Sequence, residues 1–279
     1  MKRKRVGEPT GTSQQEQSPV TVAATDLWDP FQYLNKEPTE MCLSTVRRQI
    51  LELNDCRPPG SFVVPEEHDI THIHVLVLGP VGTPYDGGFF HFVLKCPADY
   101  PSRPPLVRLM TTDSGRVRFN LSVYENGKVC LPLLGTDTGI PSWTRDHSIG
   151  SVVTAIRSLL ANENPIAEGS AFGVLPALGT WTNSSICYND VLQHETIRVA
   201  VCGTVEDCLS GNSPLPDPLK DEVLKQFSHL YDQYEKAVRE RLPMTGCCMN
   251  DGYDCVVYQY KTLLTRLQDL RGRVDTMNG

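Results

Sequence analysis

Between residues 62 and 110 the chain breaks into four short apolar runs separated by turn-forming residues, and this punctuation narrows the possible folds more than any other feature. The runs fall at about 62–64, 70–78, 88–95 and 106–110. The second alternates around His72, His74 and Val75; the third carries Phe89, Phe90, Phe92 and Val93. A Pro-rich turn, Tyr100-Pro101-Ser102-Arg103-Pro104-Pro105, precedes the fourth. Short β runs spaced by turns predict an antiparallel meander.

Ahead of the meander, Leu43, Val46, Ile50 and Leu53 recur at three- and four-residue steps. They predict an amphipathic helix over 38–54, with Pro38 in its first turn and Arg47 and Arg48 on its outer part. Behind it, Ile149, Val152, Val153, Ile156, Leu159 and Leu160 predict a second helix with a buried face, and Ser148 suits its N-cap. From Asn183 onward the pattern reads as helical at 190–201, 219–242 and 258–270, with a Pro-rich stiff loop or hinge at 213–218. The expected architecture is α+β, divided into a tail at 1–25, a core at 26–182 and a helical extension at 183–279. The tail is rich in Gln, Ser, Thr and Gly, a composition that predicts disorder.

A formal net charge of −7 over 279 residues leaves no overall basic footprint for nucleic acid. No apolar run is long enough to span a bilayer, so no membrane is expected as a partner. No apolar stretch follows the basic start Lys2-Arg3-Lys4-Arg5, which rules out a secretory signal and suits either a nuclear import patch or a solvated terminus. The expected location is cytoplasmic and nuclear, where the ten cysteines stay reduced. Neither cofactor nor metal is expected. Cys247, Cys248 and Cys255 lack zinc-ligand spacing, and His194-Glu195-Thr196-Ile197-Arg198 lacks the second His of a zinc-protease helix.

One thiol stands apart. Cys130 lies in Tyr124-Glu125-Asn126-Gly127-Lys128-Val129-Cys130-Leu131, where Asn-Gly favours a tight turn because both residues tolerate positive φ. The thiol is expected on a short extended segment leaving that turn. There Lys128 points the same way, and its ammonium favours the thiolate.

Taken with two further strings, this segment resembles the ubiquitin-conjugating enzymes. Gly79-Pro80 followed by Thr83-Pro84-Tyr85-Asp86-Gly87-Gly88-Phe89-Phe90 is similar to one family signature. Pro97-Ala98-Asp99-Tyr100-Pro101 with Pro104-Pro105 is similar to a second, and Asn126 to Leu131 matches the segment holding the family's active cysteine. The resemblance covers about 38–170, and the helical part after 183, including Tyr188-Asn189 and the stretch from His194 to Cys202, looks closest to the Z subfamily. It implies a ubiquitin-conjugating fold and an enzyme, an acyltransferase. Such an enzyme accepts ubiquitin or a tandem ubiquitin-like modifier from an ATP-dependent activating enzyme as a thioester on Cys130. It then passes the modifier to a lysine of a substrate protein or to a ubiquitin ligase.

The family's His-Pro-Asn tripeptide falls here on Asn120-Leu121-Ser122, so the Asn credited with holding the loop and stabilising the oxyanion is Ser122. A hydroxyl is shorter and cannot bridge two backbone groups as an amide can. Losing an oxyanion donor outright costs about 10²–10³ in rate, unless Asn120 or a backbone N–H compensates. The resemblance also implies that Glu168, Asn164 and Trp143 surround the incoming lysine, and that Arg47 and Arg48 face the activating enzyme. On the ligase-docking loops, Ser102-Arg103 and Trp143-Thr144-Arg145-Asp146 depart from the usual residues, so docking of the common ligases is not expected, and Arg103 is the partner-binding candidate there. Two other readings stay open: a catalytically weak relative serving as a binding scaffold, and a cysteine hydrolase, which needs a His held at the thiol.

Overall fold

The computed structural model describes residues 28–33, 36–137, 140–163, 165, 181–250 and 255–278. The tail at 1–25, Asn164 and Glu168 lie outside the described residues.

Helix α1 spans Glu40–Asp55. It starts two residues later than the proline suggested, because the Thr39 hydroxyl accepts the Cys42 N–H at 3.1 Å and so makes Thr39 the cap. Pro38 precedes the cap and takes no part in the first turn. The predicted meander follows as β1 Ser61–Pro65, β2 His72–Leu78, β3 Phe89–Lys95 and β4 Leu106–Leu109, antiparallel in that order. The register pairs Val63 with Val75, Val75 with Phe92, and Phe92 with Leu109. Helix α2, Ile149–Leu160, opens on a capping box in which the Ser148 and Ser151 hydroxyls serve each other's backbone N–H.

Residues alternate between sheet faces, and here both faces are covered. Ile73, Val75, Val77, Phe90, Phe92, Leu94, Val107 and Leu109 form one core with Val46, Ile50 and Leu53 of α1 and Val152, Val153 and Ile156 of α2. Leu76 and Phe89 point the other way, into a second core built by the C-terminal third of the chain. Burial on both faces explains why β3 is buried along its whole length.

The second core is supplied by α3 (Trp181–Glu195), a π-helical continuation (Thr196–Gly203), α4 (Thr204–Ser210), α5 (Asp217–Glu240) and α6 (Tyr260–Asn278). The all-helical expectation fails at 248–257, where β5 Cys248–Asn250 pairs antiparallel with β6 Cys255–Val257. Neighbouring Val256 and Val257 carry the β-branching that favours this strand. Cys248 is disulfide-bonded, which corrects the expectation that every thiol is reduced.

Gly87-Gly88 is where α5 meets the meander. The Tyr234 hydroxyl donates to the Gly87 carbonyl at 2.7 Å, and a Cβ on Gly87 would stand 2.6 Å from the Tyr234 ring. Gly87 also has φ 71°, a conformation other residues adopt at a cost.

Candidate active site

The site grows out of the Asn126-Gly127 turn. Gly127 has φ 88° and packs so tightly on β4 that a Cβ would lie 2.3 Å from the Leu109 carbonyl oxygen. The Gly127 carbonyl in turn accepts the Leu109 N–H at 2.9 Å. Asn126 does not use positive φ; its Oδ1 accepts the Lys128 N–H at 3.0 Å. Val129 is buried while Lys128 and Cys130 are half-exposed on the other side, so the expected alternation holds.

Cys130 is held from both directions. Its backbone N–H donates to the Ser122 carbonyl at 2.7 Å. Its thiol donates to the Thr136 carbonyl at 3.3 Å. The Thr136 hydroxyl donates to the Val129 carbonyl at 2.5 Å and accepts the Leu131 N–H at 3.0 Å, bracing the backbone on each side of the cysteine. Burial raises the Cys130 pKa above its ordinary value; Lys128 lowers it, Asp137 raises it and Arg118 lowers it. The predicted pull of Lys128 is therefore present, but desolvation outweighs it.

Asn120 is buried, and its amide is fully used by the scaffold. Nδ2 donates to the Tyr85 hydroxyl and to the Leu159 carbonyl, each at 3.1 Å, while Oδ1 accepts the Ser122 N–H at 2.8 Å. The Tyr85 hydroxyl donates to the Phe119 carbonyl at 2.7 Å. Ser122 thus has both backbone groups engaged, one toward Asn120 and one toward Cys130, and its hydroxyl makes no hydrogen bond among the described residues. Arg118 secures the same loop by donating to the Asn120 and Leu121 carbonyls at 3.3 and 2.6 Å, with its guanidinium 4.5 Å from the Tyr124 ring centre.

Arg118, Thr136, Tyr85 and Asp137 are the neighbours that sequence reasoning missed as site residues. Tyr85 was visible only as one residue of a family string, and nothing local to Thr136 or Asp137 signals that the chain folds back on the cysteine.

Of the remaining candidates, none that the structure describes makes a hydrogen bond to Cys130. Trp143 donates its indole N–H to the Pro101 carbonyl at 2.8 Å, and its ring centre is 5.8 Å from that of Tyr100, so it ties the 100–105 turn to the segment before α2. Arg103 is exposed and pairs with Asp99, whose pKa it lowers. On the outer face of α1, Arg48 pairs with Glu52 at 2.6 Å beside exposed Arg47. The predicted Glu168 and Asn164 lie outside the described residues.

Residues 45–170 match the family model of the ubiquitin-conjugating enzymes. The chain is similar to ubiquitin-conjugating enzyme E2 Z of Xenopus tropicalis, with 42% identity over 262 residues that span 92% of this chain and 80% of that protein. Against ubiquitin-conjugating enzyme E2 Z of Homo sapiens the identity is 44% over 252 residues, 88% of this chain and 68% of that protein. A solved structure of human ubiquitin-conjugating enzyme E2 G1 aligns at 30% identity with a TM-score of 0.38, over 44% of this chain and 96% of that one. The chain belongs to the ubiquitin-conjugating enzyme family and is an E2 enzyme, a transferase. Within that family its similarity over most of its length is to the E2 Z proteins.

Proposed function

We propose that the enzyme carries its modifier as a thioester on Cys130, accepting it from an activating enzyme and passing it to a lysine of a substrate protein or to a ligase. The observation that carries this reading is the support around one half-exposed thiol: its backbone N–H, its neighbours on both sides and the loop opposite are all hydrogen-bonded in place. Thiol exchange between partners of similar pKa needs access and thiolate rather than a triad base. Ubiquitin and a tandem ubiquitin-like modifier are both within this proposal, acting in cytoplasm and nucleus.

The roles follow from position. In aminolysis the lysine ammonium first gives up a proton, its nitrogen attacks the thioester carbonyl, and charge gathers on the carbonyl oxygen. The intermediate collapses to an amide as the C–S bond breaks, the Cys130 sulfur leaving as thiolate and the remaining amine proton passing to it or to water. Ser122 stands where an oxyanion donor is wanted, while Asn120 braces the loop and has no amide hydrogen to spare for the oxyanion. Asp137 is near enough to bear on the Cys130 charge and offers a carboxylate to an incoming ammonium, a role we also leave to Glu168 with Asn164 and Trp143 around the same path. Arg47 and Arg48 are assigned to the activating enzyme and Arg103 to a ligase, all three being exposed cations on the conjugating core. We divide the chain into that core at 26–182 and an extension at 183–279 that covers the outer sheet face.

The scaffold reading draws on the absent Asn and the raised thiol pKa. One experiment separates the two. Incubated with activating enzyme, ATP and modifier, the protein gains one adduct that reductant removes, and Cys130→Ala gains none. Normal charging of Cys130→Ala sinks the assignment; absence of any adduct across modifier pairs supports the scaffold.

A further inference from the structure

The outer face of the sheet is apolar where the C-terminal helices cover it and changes character at the other end of β2. There His72 and His74, two residues apart, project from the same face. Glu66, just past β1, joins them because its N–H donates to the His72 carbonyl at 2.8 Å. Glu66 Oε2 stands 2.9 Å from His72 Nδ1 and 3.2 Å from His74 Nε2. All three donor atoms lie within 4.8 Å of one another. Ligands about 2.0–2.1 Å from a tetrahedral zinc ion are themselves roughly 3.4 Å apart, so small side-chain movements would centre an ion among these atoms.

Two features distinguish the cluster from a chance meeting of polar groups. The first is behind His74: its other ring nitrogen, Nδ1, lies 3.0 Å from Nε2 of buried His91, with the two rings stacked at 15°. Metal-bound imidazoles characteristically donate their far N–H to such an acceptor, which sets tautomer and ring orientation. The second is the mounting. Two ligands sit on a strand paired on both sides, and the third is held to it by the backbone bond, with exposed Glu66 leaving an entry path from solvent. The edge of Phe31 packs on His72, ring centres 5.9 Å apart. Lys95, opposite His72 in the register, has its ammonium occupied by Asp69 and Thr71.

We propose that Glu66, His72 and His74 form a binding site for a divalent ion of the zinc type, with water in the fourth position and His91 orienting His74. Imidazole and carboxylate donors without thiolate suit zinc, cobalt or nickel rather than a soft ion. In the free protein one consistent arrangement has both ring N–H groups donating to Glu66 and the His91 N–H donating to His74. On binding, His72 Nδ1 and His74 Nε2 present lone pairs, and their ring protons move to His72 Nε2 and His74 Nδ1. The His91 proton moves from Nε2 to Nδ1, which leaves His91 Nε2 as the acceptor for His74 Nδ1–H. The carboxylate supplies one negative charge, and no redox step is involved. The ion ties the β1–β2 connection to the outer face of β2.

The test uses the full chain with exposed Cys56 and Cys247 replaced by Ser, titrated with zinc and with cobalt(II). One equivalent is expected to bind, zinc raises the melting temperature with the logarithm of its excess over Kd, and cobalt gives visible bands without thiolate charge transfer. Glu66→Gln removes the one anionic ligand and weakens binding by at least the roughly ten- to hundredfold that loss of an outer-shell partner costs. His72→Ala abolishes the one-to-one isotherm while circular dichroism remains unchanged. A site that survives His72→Ala in folded protein overturns the proposal, as does a cobalt spectrum due to thiolate or a melting temperature indifferent to zinc.

Discussion

Ser122 is flanked by bonds that hold its backbone but leave its hydroxyl unengaged among the described residues, and that places the catalytic question on one side chain. If the position stabilises the oxyanion, Ser122→Asn raises discharge of a pre-charged adduct to free lysine by about ten- to a hundredfold with little change in charging. If it only braces the loop, folded and equally charged proteins discharge at equal rates; single-turnover assays after quenching the activating enzyme decide. The thiol makes a second prediction. Burial raises its pKa, so less thiolate is present at neutral pH than for a free cysteine, and alkylation of Cys130 climbs through and beyond the ordinary thiol range as pH rises. Removing the carboxylate in Asp137→Asn shifts the profile to lower pH, and removing the ammonium in Lys128→Ala shifts it to higher pH. Peptide-resolved mass spectrometry separates Cys130 from exposed Cys56 and Cys247. Opposite or absent shifts would show that these charges do not act on the thiol.

At the scale of the element, the 124–129 turn is the piece on which the site depends. Gly127→Ala forces a side chain into positive φ and against the Leu109 carbonyl, with a cost of about 1–3 kcal/mol from the backbone conformation alone. Urea denaturation reads this as a lower midpoint, and charging falls with it because the turn aims Cys130. A stable, fully charging Gly127→Ala protein would mean that the loop is positioned from elsewhere, through Thr136 and Ser122. This element was legible beforehand: an Asn-Gly pair is a local signal, and its strand-like exit follows from alternation. The clamp by Thr136 was not, because it depends on the chain returning through the 132–134 turn and Gly135.

At the scale of the molecule, the sheet is shared by two cores, so neither can loosen without exposing one of its faces. Phe227 is fully buried in the second core, stacked on Tyr234 with ring centres 6.0 Å apart. Phe227→Ala is expected to cost about 3–5 kcal/mol. Far-UV circular dichroism and tryptophan fluorescence should shift together in a single urea transition. A biphasic curve, with the helices lost first, would show that the extension is an independent unit.

The meander, the two flanking helices and the active-site turn were written in the sequence, because each rests on residues within a few positions: alternation, three- and four-residue periodicity, a Ser cap, an Asn-Gly pair. The third run placed Phe89, Phe90, Phe92 and Val93 close together along one strand, but nothing in it said what covers either face. Only the tertiary structure decided that the C-terminal helices cover the outer face, with Gly87 pressed against Tyr234 across 147 positions. The same holds at the site. The amide of Asn120 is consumed by Tyr85 and Leu159, 35 and 39 positions away, and the charge state of Cys130 is governed by burial that no local pattern encodes. Periodicity reports that a face is hidden; distance in space, free of distance along the chain, determines what hides it and which polar groups find a partner there.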